Sequence, residues 1–169
     1  MSTPVEPRAD RAWIADPSYG VPRHQKGLLA WPQVREMLER ARVYWVSTVD
    51  PHGRPHATPV DGLWWGDALY FGGSPLTRRS RNLESNPAAC VHLESGSEVV
   101  ILHGDVRSTK PDDGLARWLA EANSAKYGYP SRPEDYQDHG VQVFSPSVGF
   151  AWKEFPKDVT RFHFGAGGG

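Results

Sequence analysis

Apolar residues in this chain recur in short bursts whose spacing alternates between helical and extended. From Pro32 to about Arg42, residues Val34, Met37, Leu38 and Ala41 fall at i, i+3, i+4 and i+7, which predicts an amphipathic helix opened by proline. Residues 43–49 (VYWVSTV) are β-branched and aromatic and predict a strand. Asp50-Pro51-His52-Gly53 reads as a turn. A strand over about 55–65 follows, broken at Gly62, then a tight hairpin at Gly66-Asp67 and a strand at 68–71. A short helix from Thr77 to about Glu84 must stop before Asn86-Pro87. Residues 89–94 and 98–108 predict a second hairpin around Ser95-Gly96-Ser97. Another amphipathic helix spans 112–126, with Leu115, Trp118, Leu119 and Ala122 on its apolar face. Further strands are predicted at 141–144, 148–155 and 158–164. Six to eight strands and three helices, linked mainly by hairpins, predict a mainly β (α+β) antiparallel barrel or sandwich. The absence of β-helix-β alternation argues against a doubly wound parallel sheet.

Composition narrows the class. A chain of 169 residues predicts one domain. Its 17 glycines and 15 prolines supply the turns that a hairpin-rich fold needs. Nineteen basic and twenty acidic residues leave a net charge of −1, which excludes a generally basic nucleic-acid binder but allows a local basic site. A single cysteine, Cys90, excludes an intrachain disulfide and multi-cysteine metal sites, and points to the reducing cytoplasm. With no signal-peptide-like start and no run of 18 apolar residues, no membrane association is expected. Residues 1–30, rich in Pro, Gly and charge, predict an extended N-terminal arm. Its Trp13, Ile14, Tyr19, Leu28 and Leu29 would pack on another surface, such as a second subunit. Residues 31–164 form the expected domain, and 165–169 (GAGGG) a flexible tail.

The chemistry concentrates in Phe71-Gly72-Gly73-Ser74-Pro75-Leu76-Thr77-Arg78-Arg79-Ser80-Arg81-Asn82-Leu83. A strand ends at two glycines that let a ligand approach the backbone, and Thr77 is a good N-cap for the helix that follows. Arg78, Arg79 and Arg81 then fall near a helix N-terminus, where cations are unfavourable by about 0.3–1 kcal/mol each. Capping amides, a hydroxyl and guanidinium groups on one spot make sense if an anion such as phosphate binds there. The competing reading is a solvated basic helix face. A second cue is Asp50-Pro51-His52-Gly53-Arg54-Pro55-His56-Ala57-Thr58-Pro59-Val60: proline inside a strand marks an edge, bulge or kink, with backbone groups left free for a ligand.

Taken together, DPHGRPHATPV, LYFGGS, TRRSRNLESNPAACVHLES and VVILHG resemble the pyridoxamine-5′-phosphate-oxidase-like superfamily, over about residues 31–164. Among its members the chain is most similar to actinobacterial proteins that use the deazaflavin coenzyme F-420, whose ends read like AWKEFPKDVTRFHF here. The resemblance implies a split β-barrel, a homodimer with two cofactor sites between subunits, and hydride transfer between F-420 and a small unsaturated substrate. FMN is the alternative cofactor; a non-catalytic F-420 or flavin carrier and a haem-handling split barrel are alternative functions. It implies that Thr58, Pro59 and Val60 lie along the ring system and Gly72, Gly73 and Ser74 near the phosphate. Thr77, Arg78 and Arg79 would grip the phosphate, and Trp152 would enter the cleft from the C-terminal region. One departure matters. Pyridoxamine phosphate oxidases end in Arg-x-His-x-Arg, whereas Arg161-Phe162-His163-Phe164-Gly165 lacks the last arginine and lies further from Trp152, which argues against the vitamin B6 reaction.

The remaining candidates are weaker. His92 and His103 could face each other across a hairpin near Glu94 or Asp105, but no third ligand has metal-site spacing, so no metal is expected. Cys90 reads as a core thiol. Trp45, Trp64, Trp65 and Trp152 could stack on an aromatic ligand, and Tyr127-Gly128-Tyr129-Pro130 could border a substrate cleft. No residue has a place that forces a catalytic acid–base role.

Overall fold

A computed structural model describes residues 6–165. It contains nine strands and four helices: β1 Arg8–Arg11, α1 Trp31–Arg40, β2 Tyr44–Val49, β3 Pro55–Val60, β4 Leu63–Trp65, β5 Ala68–Phe71, α2 Arg78–Ser85, β6 Ala88–His92, β7 Val99–Thr109, α3 Asp113–Tyr127, α4 Pro133–His139, β8 Val141–Trp152 and β9 Thr160–His163. All strand pairs are antiparallel. Hydrogen-bonded neighbours run β3-β2-β6-β7-β8-β5-β4, and β3 passes into β4 through Asp61-Gly62, so the ring closes into a barrel. A side chain at position 62 would place its Cβ 2.8 Å from Leu69 and 3.3 Å from the Tyr44 ring, so glycine is what lets the strand bend there. Gly66 and Asp67 both adopt positive φ (56° and 57°), as a type I′ hairpin requires.

The barrel splits at β8. Its first residues pair with β5 and its later ones with β9, while β7 pairs along its whole length. The two strands predicted at 141–144 and 148–155 are therefore one. The register shift between His103 and Gly104 leaves Ser147 unpaired, a bulge directly after Pro146, which stays in register with Gly104. A Cβ on Gly104 would collide with the Ser145 carbonyl oxygen 2.1 Å away, so this close crossing also needs glycine.

Alternation along β2 buries Tyr44, Val46 and Thr48 and turns Trp45, Ser47 and Val49 outward. The inward row joins Val91, Leu102, Phe144, Phe71 and Leu69 in the main core, which α1 covers with Trp31, Val34 and Leu38. A smaller core lies beneath α3. There the deepest residues are Ala116, Leu119 and Ala120, whereas Leu115, Trp118 and Ala122, three of the four assigned to the buried face, are only partly covered. Small alanines let the helix sit close to the sheet, and bulk alone misjudged which face that would be. Helix α4 and strand β1 were not predicted. α4 buries none of its residues and so has no apolar stripe, although Pro133, Glu134 and Asp135 at its start are ordinary helix-opening signals.

Part of the N-terminal arm belongs to the sheet: β1 pairs with β9. Arg11, 6% exposed, donates to the carbonyls of His24, Lys26, Lys157 and Val159. Asp10 receives Arg161 Nε and Nη2 at 2.8 and 3.0 Å and lies 3.0 Å from His163 Nε2. Of the tail expected at 165–169, residues 166–169 lie outside the described residues, as do residues 1–5 of the arm. No described helix is long and apolar enough to cross a membrane.

The hydrogen bond from Arg161, with support from His163, holds the Asp10 carboxyl down at about 2. A depressed carboxylate pKa contributes stability above its unfolded value of 3.8, and that stability is lost as pH falls towards 2. Asp10→Asn should therefore lower unfolding free energy at neutral pH by about 1–2 kcal/mol and flatten its pH dependence between pH 4 and 2, as read from urea melts across pH.

Candidate functional site: a cleft beside a buried arginine

Strand β5 delivers Phe71 to the paired glycines, and α2 begins at Arg78. Thr77 Oγ1 caps α2 by accepting from Ser80 N at 3.2 Å and donating to Ser74 O at 3.0 Å. Arg78 points outward and bridges Asp50 at 3.1 Å, and Asp50 in turn accepts from His52 N and Arg54 N. The DPHGR turn and the arginine helix are thus tied together, and Thr77 and Arg78 are already engaged by protein.

Arg79 turns the other way. It is 6% exposed, its guanidinium lies over the Phe71 ring, Nη2 donates to Gly72 O at 2.9 Å, and Nε donates to Gln142 Oε1 at 3.3 Å. Gln142 Nε2 donates to Ser80 Oγ, which donates to Ser74 O. Among the described residues no carboxylate lies within 4 Å of Arg79, and only two of its five N–H donors have protein partners. Burial lowers its pKa, but a guanidinium keeps its proton at any physiological pH. A buried cation without a counter-charge is costly, and an incoming anion would relieve that cost.

Arg79 and Gly72 form part of a cleft of about 460 Å³. Pro59 and Val60 line it from the edge strand β3, which accounts for a proline in this ladder, and Asp61 lines it directly after the strand. Asn123, Tyr129 and Tyr136 come from the α3–α4 region. The far end of α3 grips the bend in the barrel wall. Lys126 Nζ donates to Gly62 O at 2.9 Å and to Tyr44 OH at 3.0 Å, and Tyr127 OH accepts from Gly62 N at 2.8 Å. Burial pushes Lys126 down to about 8. Tyr129 OH donates to Asp61 Oδ2 at 2.8 Å, so the Tyr127–Pro130 segment does border the cleft, through Tyr129. Asp61, Asn123, Tyr136 and Gln142 were not foreseen. Only Asp61, directly after Thr58-Pro59-Val60, carried a local signal.

The fold therefore gathers Pro59, Val60, Gly72 and Arg79 around one cleft, with Thr58, Gly73, Ser74 and Thr77 adjoining along the same segments. Trp152 is elsewhere on the sheet, ten residues beyond Gln142 on β8, and does not line the cleft. Its ring meets Phe155 at 5.8 Å, which meets Tyr19 at 6.4 Å. Trp45 stacks on His92, Trp64 packs on Trp31, and Trp65 packs on Trp118; none lines the cleft. The register sets His103 opposite Cys90 and His92 opposite Ile101, so the two histidines do not face each other. Cys90 is half-buried, and burial pushes its thiol up.

The architecture is thus a barrel split at one long strand, with a cleft of about 460 Å³ beside a buried arginine at its edge. The family model for pyridoxamine 5′-phosphate oxidase matches residues 30–153, and the chain belongs to that family. No curated protein matches it. Among solved structures, an F420 reductase is similar at 23% identity, with 71% of this chain and 96% of that one aligned and a TM-score of 0.57. The haem-storage protein HutZ of Vibrio cholerae aligns over 68% of this chain and 88% of its own, at 17% identity and a TM-score of 0.53. A haem-binding protein of Mycobacterium smegmatis aligns over 73% and 54%, at 24% identity and a TM-score of 0.58. These likenesses establish the fold. The family binds flavin-type cofactors and includes oxidoreductases.

Gly73 has φ 156°, and a Cβ there would lie 2.3 Å from Arg79 Nη2. Gly73→Ala should displace the guanidinium and lower stability by about 1–3 kcal/mol, read as a shifted urea midpoint at unchanged slope.

Proposed function

We propose that this chain is a cytoplasmic, homodimeric oxidoreductase that uses the deazaflavin coenzyme F-420, with FMN as the alternative for the same site. The observation that carries the reading is Arg79: a buried guanidinium with no carboxylate partner among the described residues and three N–H donors to spare, at the floor of an open cleft. The residues fit a phosphorylated ring compound. Gly72 is exposed, with nothing within 4 Å of where its Cβ would stand, so a phosphate can approach the backbone beside Arg79. Thr58, Pro59 and Val60 offer an edge strand for a flat ring to lie along. When bound, the deazaflavin supplies hydride chemistry towards a small unsaturated acceptor. The chain's own part is to hold the phosphate with Arg79 and the Gly72–Ser74 backbone, to position the ring along β3, and to border the acceptor with Tyr129 and Tyr136.

A homodimer is supported by the outer face of the barrel. Cross-strand partners Trp45, His92, Ile101 and Phe150 form a half-exposed row, and Cys90, His103 and Val148 form the next. A second copy covering this face would also give the distant Trp152 a route to the partner's cleft.

Titrating purified protein with F-420 and with FMN, followed by tryptophan fluorescence, tests the reading. Arg79→Met should keep the fold within about 2 kcal/mol of wild-type stability, since removal of an unpaired buried charge offsets the loss of the bonds to Gln142 and Gly72. It should weaken binding of the preferred cofactor by roughly 30-fold or more. Unchanged affinity in this variant would rule out the assignment.

A further inference from the structure

Behind the Arg79–Gln142 pair lies a second cleft, of about 430 Å³. Gln142 and Ser80, both 6% exposed, form its buried polar wall, and Gly73 is its boundary towards the first cleft. Arg107 of β7 and His139 at the end of α4, both exposed, also line it. Neither has a carboxylate within 4 Å among the described residues, and His139 uses only Nδ1, near Asp135 O at 3.1 Å. Glu84, on the last turn of α2, also lines this cleft.

The two clefts are neighbours along the chain: Gly72 lines one and Gly73 the other. Both glycines are exposed, so the ridge between the clefts carries no side chain for a ligand to pass. Gln142 serves both, steadying Arg79 through Oε1 and Ser80 through Nε2. A ligand whose phosphate engages Arg79 in the first cleft can therefore continue over Gly72-Gly73 into the second. What it meets there is the exposed Arg107 guanidinium, the His139 imidazole and Ser108, a set suited to carboxylates, while Ser80 and Gln142 are engaged by protein behind them. Glu84 repels carboxylates from the α2 side and so confines them to the Arg107–His139 side.

Resting on the function proposed above, we infer that the second cleft takes the anionic tail that F-420 carries beyond its phosphate and FMN lacks. Arg107 and His139 hold its carboxylates, and the chain thereby discriminates deazaflavin from flavin. The ring and phosphate determine that a cofactor binds; the tail determines which one.

The test is the ratio of affinities for F-420 and FMN, by tryptophan quenching, in wild type, in the double variant Arg107→Ala/His139→Ala and in Glu84→Gln. The double variant should lose about tenfold in F-420 affinity with FMN unchanged. Glu84→Gln should gain up to about fivefold for F-420 alone, an effect that a merely damaged fold would not produce. Raising salt should compress the wild-type ratio. A ratio unmoved in both variants while both cofactors still bind overturns the tail assignment and leaves the proposed function standing. Binding of neither cofactor by the wild type overturns both.

Discussion

The run from Pro55 to Trp65 is one strand bent through Asp61-Gly62, and most of the candidate site hangs from that bend. On one side it closes the barrel, because β3 can pair with β2 only while β4 turns to pair with β5. On the other it leaves β3 as an open edge, with Pro59, Val60 and Asp61 facing the cleft. A glycine at such a bend is permissive but not stiff, and the stiffness comes from α3: Lys126 and Tyr127 hold the amide and carbonyl of Gly62 from outside. The same helix end presents Tyr129 to Asp61. Barrel closure, edge exposure and cleft wall are therefore consequences of one local geometry.

Two arginines, each 6% exposed, separate structural from ligand-directed burial. Arg11 spends Nε, Nη1 and Nη2 on four backbone carbonyls and ties the arm to the segment before β9, so its charge is dispersed over dipoles that are always present. Arg79 spends one bond on a carbonyl and one on an amide oxygen, and stacks on Phe71. Equal burial with unequal satisfaction means that the fold tolerates at Arg79 a cost it has removed at Arg11. That asymmetry, more than the number of arginines in α2, is what the proposed function rests on.

The strands around the barrel were legible because alternation, turn dipeptides and prolines are local signals: the Gly66-Asp67 hairpin and the cap at Thr77 follow from a few residues each. The merged β8 was not, because Ser145-Pro146-Ser147 looks like a break, and the compensating Gly104 lies on another strand, some forty residues away in sequence. The site was half legible for the same reason. Gly72, Gly73 and Arg79 form one continuous motif with a phosphate-like logic. Gln142, Asn123 and Tyr136 reach it only through tertiary packing, and the different orientations of Arg78 and Arg79, adjacent and chemically identical, depend on Asp50 and Phe71.

The C-terminal Arg161-Phe162-His163 carries a further guanidinium and imidazole. The ending lacks the last arginine of an Arg-x-His-x-Arg pattern, and only an arginine or histidine left free there could meet an anion. In this chain both side chains are turned onto Asp10 of β1, with Arg161 bonded through two nitrogens and the carboxyl held near 2 by that contact. Releasing them would break an ion pair that also pins the N-terminal strand to the sheet edge. A cation already neutralised within its own chain offers little to a phosphorylated substrate, whereas Arg79 remains uncompensated. The C-terminal cations are thus spent within the chain, and Arg79 is left as the buried guanidinium without a counter-charge among the described residues.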